Sequence, residues 1–119
     1  SEQTKVIAFL EFDPEDHEGE EVFIGLDLSQ NRDITAKATV VQTGVDSKNR
    51  PLFDAWIGAW TPGDTIQARE LRDKIPYTVW KNQGHIHAPP GENINYRHVA
   101  QSLAEDAQRY NVQMVAYVR

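Results

Sequence analysis

Glu21-Val-Phe-Ile-Gly-Leu-Asp-Leu28, followed by the polar run Ser29-Gln-Asn-Arg-Asp33, is the stretch on which the fold turns. Its apolar residues fall at both odd and even positions. That pattern predicts a central strand covered on two faces. Phe23, Gly25 and Asp27 share one side of such a strand, and Gly25 leaves space beside Asp27. A carboxylate on a buried strand is costly, because taking it out of water without a partner loses about several kcal/mol. Asp27 therefore has two readings: a ligand for a hard divalent cation such as Mg²⁺ or Mn²⁺, or a strand-end residue capping the turn that follows.

Outward from this strand the chain reads as an α/β domain. Upstream, Lys5 to Leu10 is short and apolar. The segment from Glu11 to Glu21 holds seven acids with Pro14 and Gly19 and reads as a solvated connection. Residues 1–20 are thus expected to be an N-terminal segment and acidic linker, and 21–119 the folded domain. Downstream, Ala36–Thr43 and Leu52–Trp60 read as strands joined by a loop over 44–51, giving a three-stranded antiparallel meander. Thr61-Pro62-Gly63 breaks the pattern. Asp64 with Gln67 has capping-box spacing for a short helix to about Lys74. Tyr77–Gln83 reads as a second short helix, and His85–Ala88 as a brief strand.

A longer helix is predicted from Tyr96 to Tyr110. Tyr96, Val99, Ala100, Leu103, Ala104, Ala107 and Tyr110 form its stripe, with Asn93 or Asn95 as the N-cap and Asn111 at the exit. Val112–Val118 is a nearly continuous apolar strand. A strand entered from an amphipathic helix usually runs parallel inside the sheet, which sets it beside Glu21–Leu28.

Composition narrows the function. The 119 residues are 39% hydrophobic and 25% charged, enough for one domain with a core. A net charge of -6 argues against a broad basic surface for nucleic acid. Metal-binding carboxylates would nonetheless add negative charge of their own. With no cysteine there is neither a disulfide nor a zinc-thiolate site. No apolar run approaches the ~20 residues that span a bilayer. Walker loops, nucleophile elbows and H-E-x-x-H zinc motifs are absent, which removes the ATPase, serine hydrolase and zincin readings.

Few residues remain as chemical candidates. Asp33, with Ser29 and Thr35, could bring a second ligand set near Asp27 or could simply stabilise a turn. His85 and His87 point to one side of a strand, but two ligands do not make a site, and His98 has no fixed relation to them. Trp56, Trp60 and Trp80 read as packing residues.

From about Phe12 to Arg119 the chain resembles the nuclease domain of the large terminase subunit of tailed bacteriophages. "FIGLDLSQNRDITA" is similar to that family's first strand, with its G-x-D-x-S…D-x-T-A pattern. "IPYTVWKNQGHIHAPPGENINYRHVAQSLAEDAQRYNVQMVAYVR" is similar to its P-Y-x-x-W…G…P-G-x-x-I-x-Y segment, long helix and following strand. The combined order and spacing is specific, whereas the first motif alone is weak.

The resemblance implies a ribonuclease-H-like fold and cleavage of double-stranded DNA with Mg²⁺ or Mn²⁺ in the bacterial host cytoplasm. It implies the portal protein and the small terminase subunit as partners of the full-length protein. Asp27 matches the metal-binding aspartate of the first strand. The departure is at Val118: the family reads A-Y-D-R here and this chain reads Ala116-Tyr117-Val118-Arg119, with valine where a second metal ligand stands. A third acidic ligand would lie beyond Arg119, and a preceding ATPase domain would lie before Ser1. The expectation is an incomplete catalytic set with weak or no activity. The competing readings are a non-catalytic prophage remnant and a small α/β interaction domain.

Overall fold

The computed structural model describes residues 12–28 and 34–118. Four strands form one mixed sheet: β1 (Glu21–Asp27), β2 (Thr35–Val45), β3 (Pro51–Trp60) and β4 (Asn111–Val118). Their order is β3-β2-β1-β4. β1 to β3 form the antiparallel meander expected from the sequence, and β4 returns parallel to β1. Between β3 and β4 lie α1 (Ile66–Asp73), α2 (Tyr77–Asn82) and α3 (Tyr96–Arg109). None of the helices among the described residues is long and apolar enough to cross a membrane.

The hairpin between β2 and β3 is closed by Asp46. Its Oδ1 accepts from the backbone N–H groups of Lys48 (2.8 Å) and Arg50 (2.9 Å). These bonds hold the Asp46 carboxyl below its ordinary value, the backbone N–H of Arg50 contributing most.

One face of the sheet carries the core. Val22, Ile24 and Leu26 of β1 are buried there, with Val41 of β2, Trp60 of β3, and Val99 and Tyr110 of the α3 region. Along β1 burial alternates strictly, so the strand is covered on one face only among the described residues. This corrects the expectation of a strand buried on both sides. On the opposite face Phe23, Phe53, Ile57 and Met114 are each about half exposed or more (47%, 56%, 64% and 59%). The near-continuous apolar character of β1 arises because Phe23 and Gly25 sit on that face between Glu21 and Asp27, with no second layer over them among the described residues.

α3 is turned relative to the predicted stripe. Its buried positions are Val99 and Asp106, with Ser102 and Leu103 half-buried, while Tyr96, Ala100, Ala104 and Ala107 are exposed. The cause is Lys37, in the middle of β2 and on the core face. Its ammonium donates to Asp106 Oδ2 and to Ser102 Oγ (2.5 Å) and lies 5.9 Å from the centroid of Trp60. A buried cation requires an anion, so the helix presents its aspartate where an apolar count expects alanine. Asn95 is the N-cap, its side chain accepting from the N–H of Arg97 (3.0 Å). The C-cap is Tyr110, and Asn111 already opens β4.

The two small helices pack at the end of β3 through Ile66, Tyr77 and Ile86. Asp64 does not cap α1. It lies inside a 3-10 turn, Gly63–Thr65, and its N–H donates to the carbonyl of Gly91 (3.0 Å). The brief strand over 85–88 reduces to one parallel bridge, Trp60 with His87.

Candidate functional site

Asp27 is the last residue of β1 and is exposed. The desolvation argument for a metal therefore does not apply to it. What singles it out is position. Its register partners are Ala36 on β2 and Val118 on β4, and Gly25 behind it pairs with Ala38 and Ala116. A Cβ added at Gly25 would meet no heavy atom within 4 Å. The carboxylate thus stands at the end of a floor of glycine and alanine. The open space expected beside Asp27 is present.

The lateral pairing of Asp27 with position 118 depends on a bulge. β1 and β4 start in register at Val22 and Val112, then shift by one residue so that Phe23 faces Met114. Gln113 is the extra residue. A β-bulge re-aims the strand beyond it, and without this one Asp27 would sit opposite Tyr117. At the other end of the site, the hydroxyl of Tyr96 donates to the carbonyl of Leu28 (3.4 Å), which links the start of α3 to the segment after Asp27.

Asp33 and Ser29 lie outside the described residues, so their place beside Asp27 is not defined. Among the described residues, no group of three His, Cys, Asp or Glu side chains is placed to hold a metal ion. A hard divalent cation takes six or more oxygen ligands, largely from carboxylates and water. Asp27 by itself falls short of such a set.

His87 and His98, far apart in sequence, line one cleft of about 270 Å³ with Trp60, Gln101, Ser102 and Glu105, whereas His85 does not line it. The His87 ring lies against Trp60, 5.7 Å between centroids. Trp60 is a core residue and Trp56 is half-buried, both as expected of packing residues.

Two constellations escaped the sequence reading. One is the Lys37–Asp106 pair. The other is His17, whose ring joins Glu20 and Asp54 and stacks on Trp56. A lone histidine in an acidic run carries no periodic signal, and its partner on β3 becomes visible only once the sheet is built.

A mixed sheet with this strand order, helices inserted before the returning strand and a carboxylate at the end of β1 define a ribonuclease-H-like α/β domain. Comparison with known proteins makes the assignment specific. The family described as "Terminase large subunit, endonuclease domain" matches residues 2–118, and the chain belongs to that family. The terminase large subunit of Enterobacteria phage HK97 is 31% identical over 97 residues, covering 82% of this chain and 18% of that protein. The crystal structure of the HK97 large terminase superposes with a TM-score of 0.71 at 27% identity, over 87% of this chain and 20% of that one. The chain therefore spans about a fifth of the length of these relatives.

Proposed function

We propose that this chain supplies the first-strand carboxylate, Asp27, of a metal-dependent nuclease site acting on double-stranded DNA, and that with valine at position 118 it cleaves DNA weakly or not at all by itself. The observation that carries this reading is the parallel pairing of Asp27 with position 118. The family resemblance expects a second carboxylate there, so the two positions would hold adjacent ligands on neighbouring strands. The contribution of Asp27 is a negative charge held on a rigid sheet, beside a floor open enough for a nucleic-acid backbone. On the present donor set no cleavage step is assigned to an ion. The expected metals are Mg²⁺ or Mn²⁺. DNA packaging in the host cytoplasm, with the portal protein and the small subunit as partners, is the wider setting proposed for the whole protein.

Manganese titration followed by NMR tests the reading. Paramagnetic broadening is expected to be weak and centred on residues around Asp27, and to vanish in Asp27→Asn. Val118→Asp adds a charged ligand beside it and is expected to tighten binding by about tenfold or more, since cation affinity follows ligand charge and number. Broadening that ignores Asp27→Asn, or an unchanged affinity in Val118→Asp, would discard the metal role. Plasmid nicking untouched by Asp27→Asn would discard the catalytic one and leave the interaction-domain reading.

A further inference from the structure

We propose that residues 12–20 form a strap over the core-bearing face of the sheet, and that its outer half is latched or released by the protonation of His17. The latch is a cluster of three groups on two segments. His17 Nδ1 lies 2.5 Å from Glu20 Oε2, within the strap, and Nε2 lies 2.9 Å from Asp54 Oδ2, on β3. Both ring nitrogens thus face carboxylate oxygens. A carboxylate only accepts, so both contacts are hydrogen bonds only when both nitrogens carry protons. A neutral imidazole has one N–H. Whichever tautomer it adopts, the other nitrogen turns a lone pair toward an anion.

The surroundings reinforce this dependence. The ring stacks on Trp56 at 5.9 Å and 7°, and Phe12 sits edge-on to both rings. The strap itself also carries Asp13, Glu15, Asp16 and Glu18. From the end of α3 the facing groups are Arg109, 3.6 Å from Glu18, and Tyr110, whose hydroxyl donates to the carbonyl of Pro14 (3.1 Å). Burial pushes the Tyr110 hydroxyl up from its ordinary value, so it keeps its proton at neutral pH. For His17, burial opposes the charged ring, but the hydrogen bonds and charges of Glu20 and Asp54 outweigh it and lift the ring above its ordinary 6.5. A group raised on folding stabilises fully below its unfolded value. That contribution is lost as pH rises through the folded value. The latch is therefore closed in mild acid and opens on the alkaline side of 6.5.

Release should be partial. The inner end of the strap is tied by bonds that do not titrate near neutrality: the N–H of Gly19 donates to the carbonyl of Arg109 (2.9 Å) and the N–H of Asn111 to that of Glu20 (2.9 Å). Residues 13–17, left with the Tyr110–Pro14 bond once His17 lets go, should loosen while 19 and 20 stay in place.

The test follows the His17 ring resonance of the 119-residue chain from about pH 5 to about pH 9, together with carbon-detected relaxation along residues 13–20. The expected result is a His17 midpoint above 6.5, lowered by Asp54→Asn and by Glu20→Gln, with the order of residues 13–17 falling at the same midpoint. His17→Gln, which keeps a polar side chain without the charge, should leave residues 13–17 equally ordered across the range. A strap equally ordered on both sides of the His17 midpoint would overturn the proposal. So would a midpoint that neither carboxylate substitution moves.

Discussion

At the scale of single residues, charge governs this molecule in ways that an apolar pattern conceals. Asp27 stood out in the sequence for a reason that does not hold, since its side of the strand is open to solvent. The position was nevertheless legible, because Gly25 and the following polar run marked the strand end. Asp106 was not legible. Helical periodicity counts apolar residues, and the side chain that draws Asp106 inward, Lys37, lies on another element. The side chains of the pair are only 8% and 11% exposed. Removing one partner leaves a buried unpaired charge, so Asp106→Ala is expected to cost about 3–5 kcal/mol. The double change Lys37→Met with Asp106→Leu should recover most of that loss, because apolar groups of similar volume can replace a buried pair. Urea denaturation of the three proteins gives both numbers, and a double variant no more stable than the single would contradict the account.

At the scale of elements, the strand order was readable because three strands with short polar turns form a meander, and a strand after an amphipathic helix returns in parallel. The register was not readable. It depends on the bulge at Gln113, and nothing in the apolar run of β4 distinguishes it. The placement of α1 was also hidden. It is held by a line of backbone bonds between 59–64 and 87–91, including the N–H of Gly63 to the carbonyl of Pro89 (2.8 Å). This close approach excludes a side chain. A Cβ at Gly63 would lie 2.7 Å from the carbonyl oxygen of Ala88 and 2.8 Å from that of Pro89. Gly63→Ala must push two backbones apart, at an expected cost of about 1–3 kcal/mol. Thermal melts check the size. Loss of the Ile66–Tyr77–Ile86 contacts in NMR spectra checks the location, and a melt identical to the parent would show that the strands can spread freely.

At the scale of the whole molecule, among the described residues one face of the sheet is covered by α3 and the other is open. The radius of gyration is 15.5 Å, with extents of 47 × 30 × 24 Å, whereas a compact domain of about 100 residues has ~13 Å. The sequence could not separate a strand buried twice from a strand with one apolar face uncovered, because both read as continuous apolar runs. The open face predicts that the folded chain binds a hydrophobic dye such as anilinonaphthalene sulfonate, and that Phe53→Lys with Ile57→Lys reduces the fluorescence by about half or more while leaving the circular dichroism unchanged. Dye binding that does not respond to these changes would place the exposed apolar surface elsewhere.

The parallel pairing of β1 with β4 has a consequence for the order in which the molecule is made. β1, β2 and β3 are neighbours in sequence and can pair as soon as they leave the ribosome. β4 ends the described chain, and closing it onto β1 means bringing the two most distant strands together. Long-range parallel pairings of this kind are slow, because loop closure must be met before any contact forms. Position 118 is therefore expected to reach Asp27 only after β1, β2 and β3 have paired. The pairing that sets Asp27 beside position 118 is thus the slow one among the four described strands.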